Sequence, residues 1–152
     1  MKHSILNILM TMGILLATPL AGLAQERSTP EQAKALCERA VQHMRDVGPE
    51  AAIKDFNDPQ AGYIVNDLFV IVYDPDGIVK TGVPALRGKQ ARDLTDVTGK
   101  ELGKEIINAA FNREGSWVEY YMTNPVTKKV ELKTSYIRRF ENYVVFVGAY
   151  KS

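Results

Sequence analysis

The stretch SWVEYYMTNPVTKKVELKTSYIRRFENYVVFVGAY, residues 116–150, decides how this chain folds. It divides into three runs rich in β-branched and aromatic residues: Ser116 to Thr123, Val130 to Phe140 and Tyr143 to Tyr150. Residues of these types suit a pleated, half-buried surface. Asn124-Pro125-Val126-Thr127-Lys128 separates the first two runs, and only Glu141-Asn142 separates the last two. Connections this short join antiparallel neighbours, so the chain closes on three consecutive antiparallel strands.

Upstream of Gly115 the period changes from two to between three and four. Leu102, Ile106, Ile107 and Ala110 form the apolar face of a helix spanning about Lys100 to Phe111, framed by Asp96 and Gly99. Before it, Gly82 to Leu94 contains Pro84 and Gly88 and is too long for a simple turn. Leu68 to Tyr73 reads as a strand, Asp74-Pro75-Asp76-Gly77 as a turn, and Ile78 to Thr81 as the returning strand of a hairpin. Further upstream, Thr29 serves as N-cap with Pro30 at the first helical position and Gln32 closing a capping box. Ala33, Leu36, Cys37, Ala40, Val41, Met44 and Val47 follow as one stripe, and Gly48-Pro49 ends that helix. A short helix, about Glu50 to Phe56, stops at Asn57-Asp58-Pro59. Helices segregated to one face of an antiparallel sheet make an α+β fold of PAS-like type.

The N-terminus carries a different signal. Lys2 and His3 precede an apolar run from Ile5 to Ala17, Pro19 breaks it, and Gly22-Leu23-Ala24 places small residues before Gln25. This is the pattern of a cleaved secretory signal, residues 1–24, leaving residues 25–152 as one domain exported to the periplasm or secreted. The alternative is a retained anchor, against which the run falls short of the roughly 20 residues a membrane span needs. No later stretch is long enough to span. The chain has 19 Lys and Arg against 18 Asp and Glu, and without Lys2 the two are equal. A balanced charge provides no footprint for nucleic acid or anionic lipid. Cys37 is the only cysteine, so no intramolecular disulfide supports the exported domain.

Catalytic and metal motifs find little support. Asp74, Asp76 and Gly77 invite a calcium reading, but Ile78, Val79 and Lys80 do not supply the later oxygen ligands it needs. His43 stands alone after signal removal, without a second histidine or cysteine at metal-ligand spacing. Cys37 and His43 are six residues apart on one helix and face different ways. Neither a nucleophile elbow nor a phosphate-cradling glycine loop is present. The sequence therefore predicts no enzyme, no cofactor and no metal.

The chain resembles the single Cache domain of the second type, an extracytoplasmic sensor module of chemoreceptors and sensor kinases. The resemblance rests on Asp67-Leu68-Phe69-Val70-Ile71-Val72-Tyr73-Asp74, Asp76-Gly77, Pro84-Ala85-Leu86-Arg87-Gly88-Lys89 and Asp93-Leu94-Thr95-Asp96. It continues through Gly99-Lys100, Gly115-Ser116-Trp117-Val118-Glu119-Tyr120, Asn124-Pro125, Lys133-Thr134-Ser135-Tyr136 and Val147-Gly148-Ala149-Tyr150. It implies a long helix leading into a five-stranded antiparallel sheet, with a small organic ligand, frequently a carboxylate, held between sheet and loop. Relatives are often tethered between membrane helices, whereas this chain stops at Ser152. It is therefore expected to be a free-standing binding module. The other expectation is an interaction module that regulates a membrane-bound sensor kinase or receptor.

A small-molecule pocket needs apolar walls and a few convergent polar groups. Trp117, Tyr120, Lys133 and Tyr136 supply these, with Met122 standing where relatives often carry an aromatic. Tyrosine hydroxyls and a lysine ammonium are donors for a carboxylate. Strand alternation puts Val118, Tyr120 and Met122 on one face and Trp117, Glu119 and Tyr121 on the other, so Trp117 and Tyr120 share a pocket only across a bulge. Tyr136 goes with Thr134 and Arg138, opposite Lys133 and Ser135. The resemblance favours Tyr120, Lys133 and Tyr136. Packing for the aromatics and a solvated face for Lys133 remain the alternatives. Arg87 and Lys89 fall on the Gly82 to Leu94 loop, the pocket lid of the resembled fold. Arg87 is the stronger candidate, since a guanidinium grips a carboxylate through two bonds. Asp93 and Asp96 are expected to position that loop and cap the helix after it.

Overall fold

The computed structural model describes residues 27–151, so the export signal read in residues 1–24 lies outside the described residues. The first helix, α1, spans Pro30–Val47. Thr29 Oγ1 accepts the Gln32 amide at 3.2 Å while Gln32 Oε1 accepts the Thr29 amide at 2.8 Å. Its stripe buries Ala33, Leu36, Cys37, Ala40, Val41 and Met44, but Val47 at the last turn is exposed. Helix α2, Pro49–Asn57, follows directly and adds Ala52 and Phe56 to the same core.

The sheet is smaller than the five strands expected. Strands β3 (Ile71–Tyr73), β4 (Ser116–Thr123), β5 (Val130–Phe140) and β6 (Tyr143–Tyr150) form one four-stranded antiparallel sheet in the order β3-β6-β5-β4. Two short strands, β1 (Ile64–Val65) and β2 (Leu68–Phe69), pair as a separate hairpin. The expected strand from Leu68 to Tyr73 is thus split at Val70, whose carbonyl accepts Thr81 Oγ1 at 2.8 Å. The returning segment Ile78 to Thr81 does not become a full strand either. Only Tyr73 bridges Val79, while Ile78 bridges Gln90. Gly82 then turns with φ 99°, directing the chain away from the sheet.

Helix α3 covers Leu102–Ala109, shorter than expected at both ends. A single 3-10 turn, Ala91–Asp93, packs against it. Gly103 makes that contact possible, since a Cβ there would lie 1.7 Å from the Ala91 carbonyl oxygen. Asp96 does not cap α3. Its Oδ1 accepts the Thr98 and Lys100 amides at 2.8 and 3.0 Å, and its Oδ2 accepts the Tyr121 amide at 3.0 Å, tying the loop to the edge of β4. Burial pushes its carboxyl up, but the Thr98 hydroxyl, which donates to Oδ1 at 2.6 Å, and these amides outweigh it and bring the pKa down to about 2.

The sheet separates two apolar clusters. On one face α1 and α2 pack against Val72, Val145, Val147 and Ala149. On the other, α3 and the loop segments cover Ile71, Tyr73, Val118, Ile137 and Phe146.

Candidate ligand site

Strand register assembles a polar group within the second face. Tyr120 on β4 pairs with Lys133 on β5, and Val118 with Ser135. Lys133 in turn pairs with Tyr150 on β6, and Ser135 with Gly148. Side chains alternate along each strand, so Tyr120, Lys133, Ser135 and Tyr150 emerge together on the side away from α1. Gly148 leaves the room they need. A Cβ there would lie 2.3 Å from Ser135 Oγ, 2.7 Å from Lys133 Cε and 3.2 Å from the Tyr120 hydroxyl.

Lys133 is the unusual member. It is only 5% exposed, and among the described residues its ammonium has neither a hydrogen-bond partner nor a carboxylate at salt-bridge distance. It sits instead over two rings, 4.8 Å from the centroid of Phe69 and 4.7 Å from that of Tyr150. Ring faces attract a cation, but by far less than loss of hydration costs it. Burial therefore lowers the Lys133 pKa to about 8, while the more distant Asp67 pulls it upward. Asp67 itself is occupied in accepting the Ser28 amide at 3.0 Å.

The neighbouring hydroxyls are satisfied locally. Tyr120 Oη and Ser135 Oγ share a hydrogen bond of 2.8 Å. Burial raises the Tyr120 pKa to about 12 despite that bond, so it is a neutral donor at any ordinary pH. Tyr150 donates to the Thr123 carbonyl at 3.1 Å. Met122 packs half-buried against the apolar cluster of this face.

The remaining residues singled out from the sequence lie elsewhere. Tyr136 emerges on the α1 face, where its hydroxyl lies 3.1 Å from Glu38 Oε1 and 2.9 Å from the Glu114 carbonyl oxygen, two acceptors for its one proton. Trp117 lies on that side too, exposed, with its ring 5.0 Å from that of Tyr136. No bulge brings Trp117 round to Tyr120, because β4 pairs continuously with β5. Arg87 and Lys89 are exposed on the loop. The structure thus unites Tyr120 with Lys133, places Met122 on the same face, and does not join Tyr136, Trp117 or Arg87 to them. Three contributors were not singled out beforehand. Ser135 was legible from its two-residue spacing to Lys133, whereas Tyr150 and Phe69 depend on register and on the path of β2.

Among the described residues there is no grouping of three histidine, cysteine or acidic side chains able to hold a metal. Nor is any described helix long and apolar enough to cross a membrane. His43 stacks on Tyr63 at 5.0 Å and meets Asp55 at 2.6 Å, a partly buried pair on the α1–α2 side. Burial raises the Cys37 thiol pKa far above its ordinary value, so it is an inert core residue.

Comparison with known proteins supplies the frame for this geometry. The family model described as Single Cache domain 2 matches residues 3–152. No curated protein matches the chain. Among solved structures, a methyl-accepting chemotaxis protein from Vibrio parahaemolyticus RIMD 2210633 superposes with a TM-score of 0.64 at 22% identity, covering 79% of this chain and 86% of that one. A Cache chemosensory domain described for its carboxylic acid recognition gives 0.61 at 18% identity, covering 80% and 92%. A periplasmic sensor domain of a chemotaxis protein gives 0.59 at 20%, covering 80% and 90%. At these identities the structural likeness concerns the fold.

Proposed function

We propose a function from one premise: this chain belongs to the single Cache domain 2 family, whose members are non-catalytic extracytoplasmic sensor domains that bind small molecules. The ligand of this chain is a small organic acid, bound at Lys133. One observation carries the reading: Lys133, only 5% exposed, holds its ammonium against the Phe69 and Tyr150 rings without an anion beside it. A bound carboxylate neutralises that charge where the low dielectric makes the attraction strong. Tyr120 and Ser135 exchange their mutual bond for bonds to the same carboxylate or to a neighbouring oxygen of the ligand. Phe69, Tyr150 and Met122 form the wall against its carbon skeleton. A single buried cation matches a single carboxylate, so short monocarboxylates fit better than dicarboxylates. That one structural neighbour is described for carboxylic acid recognition is consistent with this assignment. Tyr136 and Trp117 support the sheet from its other face in this account, and Arg87 acts at the entrance. In this account the loop from Thr81 to Leu94 moves outward to admit the ligand.

The proposed setting is the periplasm or the extracellular medium, reached through the signal in residues 1–24. The alternative role, docking to a membrane-bound kinase or receptor through α1, gains nothing from the helix surface. Its exposed positions are mostly polar, among them Gln32, Lys34, Arg39, Gln42, Arg45 and Asp46.

Thermal unfolding with a panel of short mono- and dicarboxylates tests the reading. A ligand at about a hundredfold its Kd adds about 2.7 kcal/mol of stability, a rise in Tm of several degrees. At least one monocarboxylate is expected to produce it. No shift across the panel at millimolar concentration contradicts the assignment.

A further inference from the structure

We propose that the tip of the domain, where α1 ends and β5 turns into β6, holds a second binding site, for a small oxyanion carrying more than one negative charge. A cavity of about 430 Å³ there is lined by Arg45, Arg113, Arg138, Arg139, Glu141 and Phe111. Four guanidiniums thus face one carboxylate in a chain whose formal net charge is only +1. Gathering like charges opposes folding unless something compensates.

The guanidiniums are poorly compensated within the protein. Arg138 alone has a carboxylate partner, Glu38, which it shares with the Tyr136 hydroxyl, and its Nε is buried without any acceptor. Arg139 donates to the Glu141 carbonyl at 2.6 Å and to Asn142 Oδ1 at 3.2 Å, both neutral groups. Arg45 reaches only Gln42 Oε1, at 3.4 Å. Arg113 has no hydrogen-bond or salt-bridge partner among the described residues. The C-terminal carbonyls of α1 favour a cation at Arg45, which accounts for one of the four and not for the rest.

Guanidinium forks bind phosphate-type oxygens through paired bonds, which defines the ligand class. Phe111, 67% exposed at the same cavity, lies under the Arg139 guanidinium at 5.4 Å. An apolar or ring-bearing substituent on the anion would rest there, so an aryl phosphate is expected to bind more tightly than inorganic phosphate. This site is separate from Lys133. Arg138 and Arg139 stand five and six residues further along β5, roughly 17–20 Å away.

Calorimetric titration of the exported domain with inorganic phosphate, pyrophosphate and phenyl phosphate, at salt of about 0.15 M to screen diffuse attraction, tests the proposal. Saturable binding of pyrophosphate and phenyl phosphate is expected. It should weaken at least about tenfold in the Arg45→Gln/Arg113→Gln double variant, which removes two charge-assisted donors to the anion. Both positions are exposed, so the variant is expected to fold normally. Lys133→Met should leave this binding intact. Three results overturn the proposal: no saturable binding of any probe, unchanged affinity in the double variant, or loss of binding in Lys133→Met.

Discussion

On one face of the four-stranded sheet, α1 lays Leu36, Cys37, Ala40, Val41 and Met44 against Val145, Val147 and Ala149. On the other, α3 and irregular segments cover Ile71, Ile137, Phe146 and Tyr120, and the same face buries Lys133, against Phe69 and Tyr150, and Ser135. Both faces are buried, and both are built on the same strands. The helix-covered face is mostly apolar side chains fitted to one another, with Tyr136 and Arg138 both bonded to Glu38, and apolar fit is what burial alone rewards. The loop-covered face gives up part of that gain to hold an unpartnered cation and two hydroxyls. A sheet needing only to be stable would place leucine or methionine at 133. Under the proposed assignment, one face is scaffold and the other receptor.

The largest effect that separates the two faces is expected at Met44, fully buried against the sheet. Met44→Ala should cost about 2–5 kcal/mol in denaturant unfolding, from lost burial and the cavity left behind. It should leave the carboxylate Kd within about twofold, since it touches no binding group. A changed affinity at full folding would show that the faces are not independent.

Gly148→Ala acts on the receptor face and should do both kinds of damage. The added methyl meets Ser135 Oγ and Lys133 Cε, so overpacking of about 1–3 kcal/mol is expected along with loss of carboxylate binding. Retained binding would mean that Tyr120, Lys133 and Ser135 do not converge on the ligand.

A smaller effect should appear with pH. The unfolded chain holds the Lys133 proton up to about pH 10.4, while the folded protein releases it at about 8. Between these values the unfolded state binds more protons, so the unliganded protein gains stability as pH rises through the window. A bound carboxylate favours the charged ammonium, so affinity should fall as pH rises above about 8. Tm measured against pH for wild type and Lys133→Met isolates the contribution. Parallel curves would contradict it.

Much of the scaffold was legible because its signals are local. The bounds of β4, β5 and β6 follow the β-branched and aromatic runs, and the α1 start follows Thr29, Pro30 and Gln32. The segment from Leu68 to Thr81 was not, because its division depends on which partner each part takes. Thr81 captures the Val70 carbonyl, β2 pairs back to β1, and β3 joins β6. The same limit applied to the site. Alternation alone put Tyr120 and Trp117 on opposite faces of β4, and Tyr136 opposite Lys133 on β5. That Tyr120 stands beside Lys133, and Tyr150 beyond it, required the register of three strands. Gly148 gave no sign of its importance until those strands were set side by side.

Lys133→Met tests the central claim most directly. Methionine keeps the apolar length of the side chain and removes the unpaired charge, so the unliganded variant should melt at or above the wild-type Tm. The Tm rise produced by the best carboxylate should at the same time disappear. A variant that melts several degrees lower while still binding the carboxylate would show that Lys133 holds the fold together and that the ligand site lies elsewhere.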